Sequence, residues 1–100
     1  MNDDQWREAV KLRDHHACRR CRRRYVRGDG DLHAHHIFTR SRDLTRTDIL
    51  NGITLCGRCH RWWHAYPFAA RTWIEQDLGV DVVEALERQS RRLVKREAIT

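Results

Sequence analysis

Leu32-His33-Ala34-His35-His36-Ile37, followed after a polar loop by Asn51-Gly52-Ile53-Thr54-Leu55-Cys56-Gly57-Arg58-Cys59-His60, is the stretch that decides the fold. Leu32 to Ile37 reads as a strand, which places His33 and His35 on one face and His36 on the other. Gly28-Asp29-Gly30-Asp31 ahead of it is turn chemistry, and Thr39 to Asp48 is a polar loop. Asn51-Gly52 reads as a second turn, and Ile53-Thr54-Leu55 as a short return strand. After Cys56 the chain turns helical, because His60, Trp63 and His64 fall at helix spacing and an i, i+4 pair shares one face. The order is therefore strand, loop, strand, helix, with imidazoles on the first strand and on the helix.

Two cysteine pairs bracket this unit, Cys18-x-x-Cys21 and Cys56-x-x-Cys59. Four thiolates fill a closed tetrahedral zinc site and leave no position open. Four cysteines also allow two disulfides. The chain opens Asn2-Asp3-Asp4-Gln5 without an apolar signal region, so a reducing, cytoplasmic setting in a bacterium or phage-infected host is expected, and there metal is favoured. With Cys18, Cys21, Cys56 and Cys59 assigned to a structural Zn²⁺, the surrounding histidines are left over. That surplus points to a second site.

The remainder of the chain fits around this centre. A length of 100 residues makes one domain, and 40% hydrophobic against 34% charged residues leaves a thin core that a metal staple would help. No apolar stretch reaches membrane-spanning length. The net charge of +6 and pI near 9.8 call for a polyanionic partner, with DNA first. Arg19, Arg20, Arg22, Arg23, Arg24 and Arg27 crowd the first cysteine pair as candidate phosphate contacts. Asp3 to about Arg13 is a predicted helix with Trp6, Ala9, Val10 and Arg13 on one stripe, and Tyr25-Val26 suits a short strand. Pro67 opens a helix that runs to about Leu78 and stops at Gly79. Asp81 and Glu84 resemble a capping box for a last helix, with Val83, Leu86, Leu93 and Val94 as its apolar stripe. Its outer face carries Arg88, Arg91, Arg92, Lys95 and Arg96. His15, His16 and His33 read as ordinary polar positions, and Trp62 and Trp63 as packing residues.

The histidine strand and the Asn51–His60 segment together resemble an HNH endonuclease of the zinc-containing type, and Cys56 to Pro67 resembles small phage-type HNH proteins. The resemblance implies an α+β fold: a small ββα-metal core stapled by the four-cysteine zinc site, with an N-terminal helix and C-terminal helices. It implies one nuclease domain over 1–100, with its core at about 6–66 and a helical extension from about 67 to 100. By the same resemblance His36 matches the general base, Asn51 the residue that holds the loop and orients that base, and His35 and His60 the ligands of a catalytic divalent ion. His64 sits where some relatives supply a further ligand, and Arg40 is a candidate phosphate contact. The ion is Mg²⁺, Mn²⁺, Zn²⁺ or Ni²⁺, and no small-molecule organic cofactor is expected. Asn51 before Gly52 also suits a type I′ turn with no catalytic part. The expected function is metal-dependent hydrolysis of DNA phosphodiester bonds. The rival readings are a non-catalytic zinc module that binds nucleic acid and a zinc-stapled protein-interaction module. Neither needs His35, His36 and His60.

Overall fold

The first helix, α1 (Asp3–Arg13), begins where Asn2 and Gln5 form a reciprocal capping box. Asp3 and Asp4 lie in its first turn and Lys11 and Arg13 in its last, each matching the helix dipole. In the computed structural model, which describes residues 1–24, 31–39 and 45–92, Trp6 and Val10 are the buried residues of this helix. The helix ends at Asp14, and His15 and His16 then take left-handed backbone angles, φ 57° and 53°. Their N–H groups bond back to the Leu12 and Lys11 carbonyls, which turns the chain towards Cys18.

Strands β1 (Leu32–His36) and β2 (Gly52–Cys56) pair antiparallel, with His35 opposite Ile53 and His36 opposite Gly52. Side chains of opposed residues share a face, so the sheet sorts its neighbours. Gly52 and His36 face α1; His33, His35, Ile53 and Leu55 face α2 (Gly57–Ala65). Two further helices follow, α3 (Pro67–Leu78) and α4 (Val80–Arg91). Their Ile74 and Val83 join Leu32, Ile53, Leu55 and the cysteines Cys18, Cys56 and Cys59 in one buried cluster. The small α+β architecture is the one the strand–loop–strand–helix reading expected.

Gly52 has a different purpose from the turn expected of Asn51-Gly52. Its backbone is extended, φ −128°, and it opens β2 directly after a short 3₁₀ segment, Ile49–Asn51. A Cβ there would lie 2.5 Å from Trp6 Cζ2 and 2.6 Å from Val10 Cγ2. The glycine is what lets α1 sit against the sheet. The capping box expected at Asp81 and Glu84 is also absent: α4 starts two residues earlier, with Gly79 at φ 99° as its N-cap and no side-chain cap. Val83 and Leu86 are buried as expected. Tyr25-Val26, most of the Gly28–Asp31 turn, Leu93, Val94, Lys95 and Arg96 lie outside the described residues.

The α1–sheet junction is closed by charge. The Asp14 side chain, 1% exposed, accepts from Arg13 at 2.9 Å and Arg19 at 3.0 Å. It also accepts the Thr54 backbone N–H at 2.9 Å. Arg13 donates onward to the Ile49 and Gly52 carbonyls at 2.9 and 2.7 Å, and Arg19 to Asp77 at 2.6 Å. Burial works against the Asp14 charge, but the bonds from Arg13, Arg19 and Thr54 outweigh it and lower its pKa below the ordinary 3.8. Because the folded value is the lower one, this stabilisation is complete above the unfolded pKa and disappears as pH falls through the folded value. Removing one partner of a buried pair costs roughly 3–5 kcal/mol. Arg13 and Arg19 are 31% and 24% exposed, which sets Asp14→Ala at the lower end of that range. Urea unfolding at neutral pH is expected to show this loss, and the Asp14→Ala protein should lose part of the wild-type acid sensitivity.

Candidate metal centres

The four cysteines converge from both ends of the core. Cys18 and Cys21 occupy a tight turn in which Arg22 N–H bonds to the Cys18 carbonyl at 2.8 Å and Arg22 adopts φ 68°. Cys56 ends β2 and caps α2, its sulfur accepting the Cys59 N–H at 3.5 Å, while Cys18 accepts the Cys21 N–H at the same distance. All four sulfurs lie within 4.8 Å of one another, and Cys21 and Cys56 are 3.8 Å apart. A tetrahedron with Zn–S bonds of about 2.3 Å has edges close to 3.8 Å, so the set fits a zinc ion. Burial opposes ionisation of Cys18, yet N–H groups of Cys21, Cys56 and Arg20 lower its pKa to about 7. Burial and neighbouring sulfurs push Cys59 up to about 12. These thiols cannot all ionise together unless a cation joins them, as a zinc would.

The second set is built from imidazoles. His60 and His64 stand one turn apart on α2 with their Nε2 atoms 3.2 Å apart. His35 reaches them from β1, its ring centroid 4.8 Å from His60 and 5.3 Å from His64. One ring nitrogen from each of the three lies within 4.8 Å of the others. His35 is only 8% exposed, and its Nε2 is buried without a hydrogen-bond partner among the described residues. Burial, then the charges of His60, His64, His36 and His33, hold its pKa down to about 3. His60 is lowered too, by burial and by His33 and His64. Rings kept neutral with lone pairs converging are what a divalent ion needs. His33 lies 5.1 Å from the His60 ring and is exposed, outside the three-residue set.

His36 points the other way. Its ring stacks on Trp6 with centroids 3.8 Å apart and planes 7° apart, and its Nε2 lies 2.8 Å from the Arg46 carbonyl. A carbonyl only accepts, so that nitrogen carries the proton and the lone pair sits on Nδ1. Both faces of the strand end meet at an open cleft of about 420 Å³, lined by His35, His36, Thr39, His60, Trp63 and His64. Asn51, fully buried, is a clasp: its amide donates to the Phe38 and Thr45 carbonyls at 2.9 and 3.0 Å and accepts the Phe38 N–H at 2.9 Å. The bonds span the loop's two ends, so Asn51 is no type I′ turn residue.

The arginines divide. Arg19, grouped by sequence with the phosphate contacts, is turned inward between Asp14 and Asp77. Arg20 lies over Trp62, its Cζ 3.6 Å from the ring centroid, and Nη1 approaches Cys59 Sγ at 3.6 Å. The charge of Arg20 thus faces the cysteine cluster, a contact sequence spacing did not reveal. Arg22, Arg23 and Arg24 are exposed. Arg40 lies outside the described residues. Trp63 packs partly buried against the core and His35, as a packing residue should.

Residues 18–65 match the model of the HNH endonuclease family, so this segment is similar to an HNH endonuclease domain. The matched segment contains both cysteine pairs, His35, His36, Asn51, His60 and His64, which is the resemblance carried by those residues in sequence. No curated protein and no solved structure matches the chain. Among the described residues, no helix is long and apolar enough to cross a membrane.

Proposed function

We propose that the chain is a metal-dependent HNH endonuclease that hydrolyses DNA phosphodiester bonds, with a structural zinc on Cys18, Cys21, Cys56 and Cys59. The observation that carries the reading is the division of labour at one strand end: His35 turned to His60 and His64, His36 turned away onto Trp6. A non-catalytic zinc module has no use for that division. His35 and His60 hold the catalytic ion and His64 is the further ligand. When bound, a divalent ion there neutralises phosphate charge and stabilises the departing oxygen. Three imidazoles without a carboxylate suit Zn²⁺, Ni²⁺ or Mn²⁺ better than Mg²⁺, which prefers oxygen ligands.

His36 is the general base. With Nε2–H held by the Arg46 carbonyl, Nδ1 takes the proton from the attacking water. Asn51 orients the base indirectly, by clasping the loop that follows it. Arg22, Arg23, Arg24 and Arg40 contact phosphates, in keeping with the net charge of +6. The whole chain works as one cytoplasmic domain, its core at about 6–66 and the remaining helices an extension.

The test is cleavage of supercoiled plasmid by protein that retains zinc but has lost other metals, across Mg²⁺, Mn²⁺, Ni²⁺ and added Zn²⁺. Nicked or linear product is expected only after a divalent ion is restored, with the transition ions ahead of Mg²⁺. Plasmid binding without cleavage in every ion would return the protein to the non-catalytic reading.

A further inference from the structure

The HNH match begins at residue 18, yet the ring that becomes the base in the proposed mechanism is held by residues well before it. A histidine ring turns easily about its outer torsion, whose preference is broad. Here two restraints stop it, and both lead back to α1. Trp6 lies flat against the ring at 3.8 Å. Trp6 is itself anchored, donating Nε1–H to the Asp48 carbonyl at 2.9 Å, and it fits only because Gly52 lacks a Cβ. The Arg46 carbonyl that receives His36 Nε2 belongs to a residue whose guanidinium is gripped by Asp3 through two bonds, at 2.7 and 3.1 Å.

We infer that α1 is a brace for His36, with Trp6 as a positioning residue that fixes the plane of the ring and Asp3 as the tether, through Arg46, of the carbonyl that fixes its tautomer. The brace explains why a tryptophan sits where a smaller apolar residue would fill a helix–sheet contact. It also makes α1 part of the working site although the helix supplies no member of the histidine or cysteine set.

In its activity arm the inference rests on the nuclease reading, so the test has a second arm that does not. Long-range proton–nitrogen NMR of the neutral His36 ring reports its tautomer directly. In wild type the Nε2–H form is expected to dominate. In Trp6→Leu it should give way to a mixture, with kcat for plasmid cleavage down about tenfold or more and KM within about twofold, as misplacement of a reacting group without loss of binding predicts. Trp6→Phe keeps a flat ring on His36 and should restore most of kcat and the tautomer preference. Asp3→Ala, which leaves the core intact, should shift the tautomer and lower kcat in the same direction, and it decides the matter if Trp6→Leu fails to fold or loses zinc. An unchanged tautomer and kcat in folded Trp6→Leu, or in Asp3→Ala, overturns the brace. If wild type cleaves nothing, the nuclease reading fails while the NMR arm still decides the brace.

Discussion

Chelating the zinc, or replacing Cys56 with alanine, is expected to unfold the protein outright. The cluster that serves as core is made in part of the proposed ligands themselves: Cys18, Cys56 and Cys59 are buried with Leu32, Ile53, Leu55, Ile74 and Val83. Cys56 is also the last residue of β2 and the cap of α2. Without the ion, thiols 3.8 Å apart replace a bonded centre, and the ties that remain between the first cysteine turn and the sheet are of the order of the Arg19 N–H bond to the Thr54 carbonyl and the Arg19–Asp14 pair. Structural zinc contributes an apparent 10–16 kcal/mol or so in small modules, against a typical net stability of about 5–15 kcal/mol. Metal analysis should find about one zinc per chain that survives dialysis, as a closed four-ligand site implies. Circular dichroism should show the helices melting on chelation. Full helicity in thoroughly chelated Cys56→Ala protein would remove the structural role of zinc.

The second large effect separates the histidines by job. His35→Ala and His60→Ala are each expected to weaken binding of the second ion on the order of a hundredfold or more, since loss of a ligand exceeds the effect of losing a ligand's hydrogen-bond partner. His35 carries the larger effect because its ring is the buried one, 8% exposed, and its Nε2 has no other partner among the described residues. His64, exposed on the helix, should cost less. His36→Ala should leave that affinity unchanged, because its ring faces Trp6 across the strand. Calorimetric titration of zinc-loaded protein with Ni²⁺ reads all four variants. Equal loss of Ni²⁺ affinity in His36→Ala and His35→Ala would erase the distinction between base and ligand.

How far the sequence was legible depended on the range of each signal. The spacing of Cys18, Cys21, Cys56 and Cys59 and the i, i+4 pair His60 and His64 carry their geometry in the numbers alone, so the two candidate metal sets are visible in the sequence itself. Alternation along β1 placed His35 and His36 on opposite faces for the same reason. What the sequence hid was long-range. Nothing local marks Trp6 as the platform under His36, 30 positions later by chain number. Gly52 read as a turn because Asn-Gly usually is one, whereas its cause is the approach of α1 from elsewhere in the chain. Arg19 read as a solvent-facing partner of phosphate because composition cannot show that Asp14 and Asp77 lie within reach, and nothing local shows that the exposed Arg20 lies over Trp62.

The most direct measurement is single-turnover cleavage of supercoiled plasmid by wild type and His36→Ala side by side, both zinc-loaded and both saturated with the same second ion. The variant is expected to bind plasmid and ion as wild type does and to cleave about a hundredfold more slowly or worse, as loss of a general base requires. Equal rates in the two proteins would contradict that role for His36.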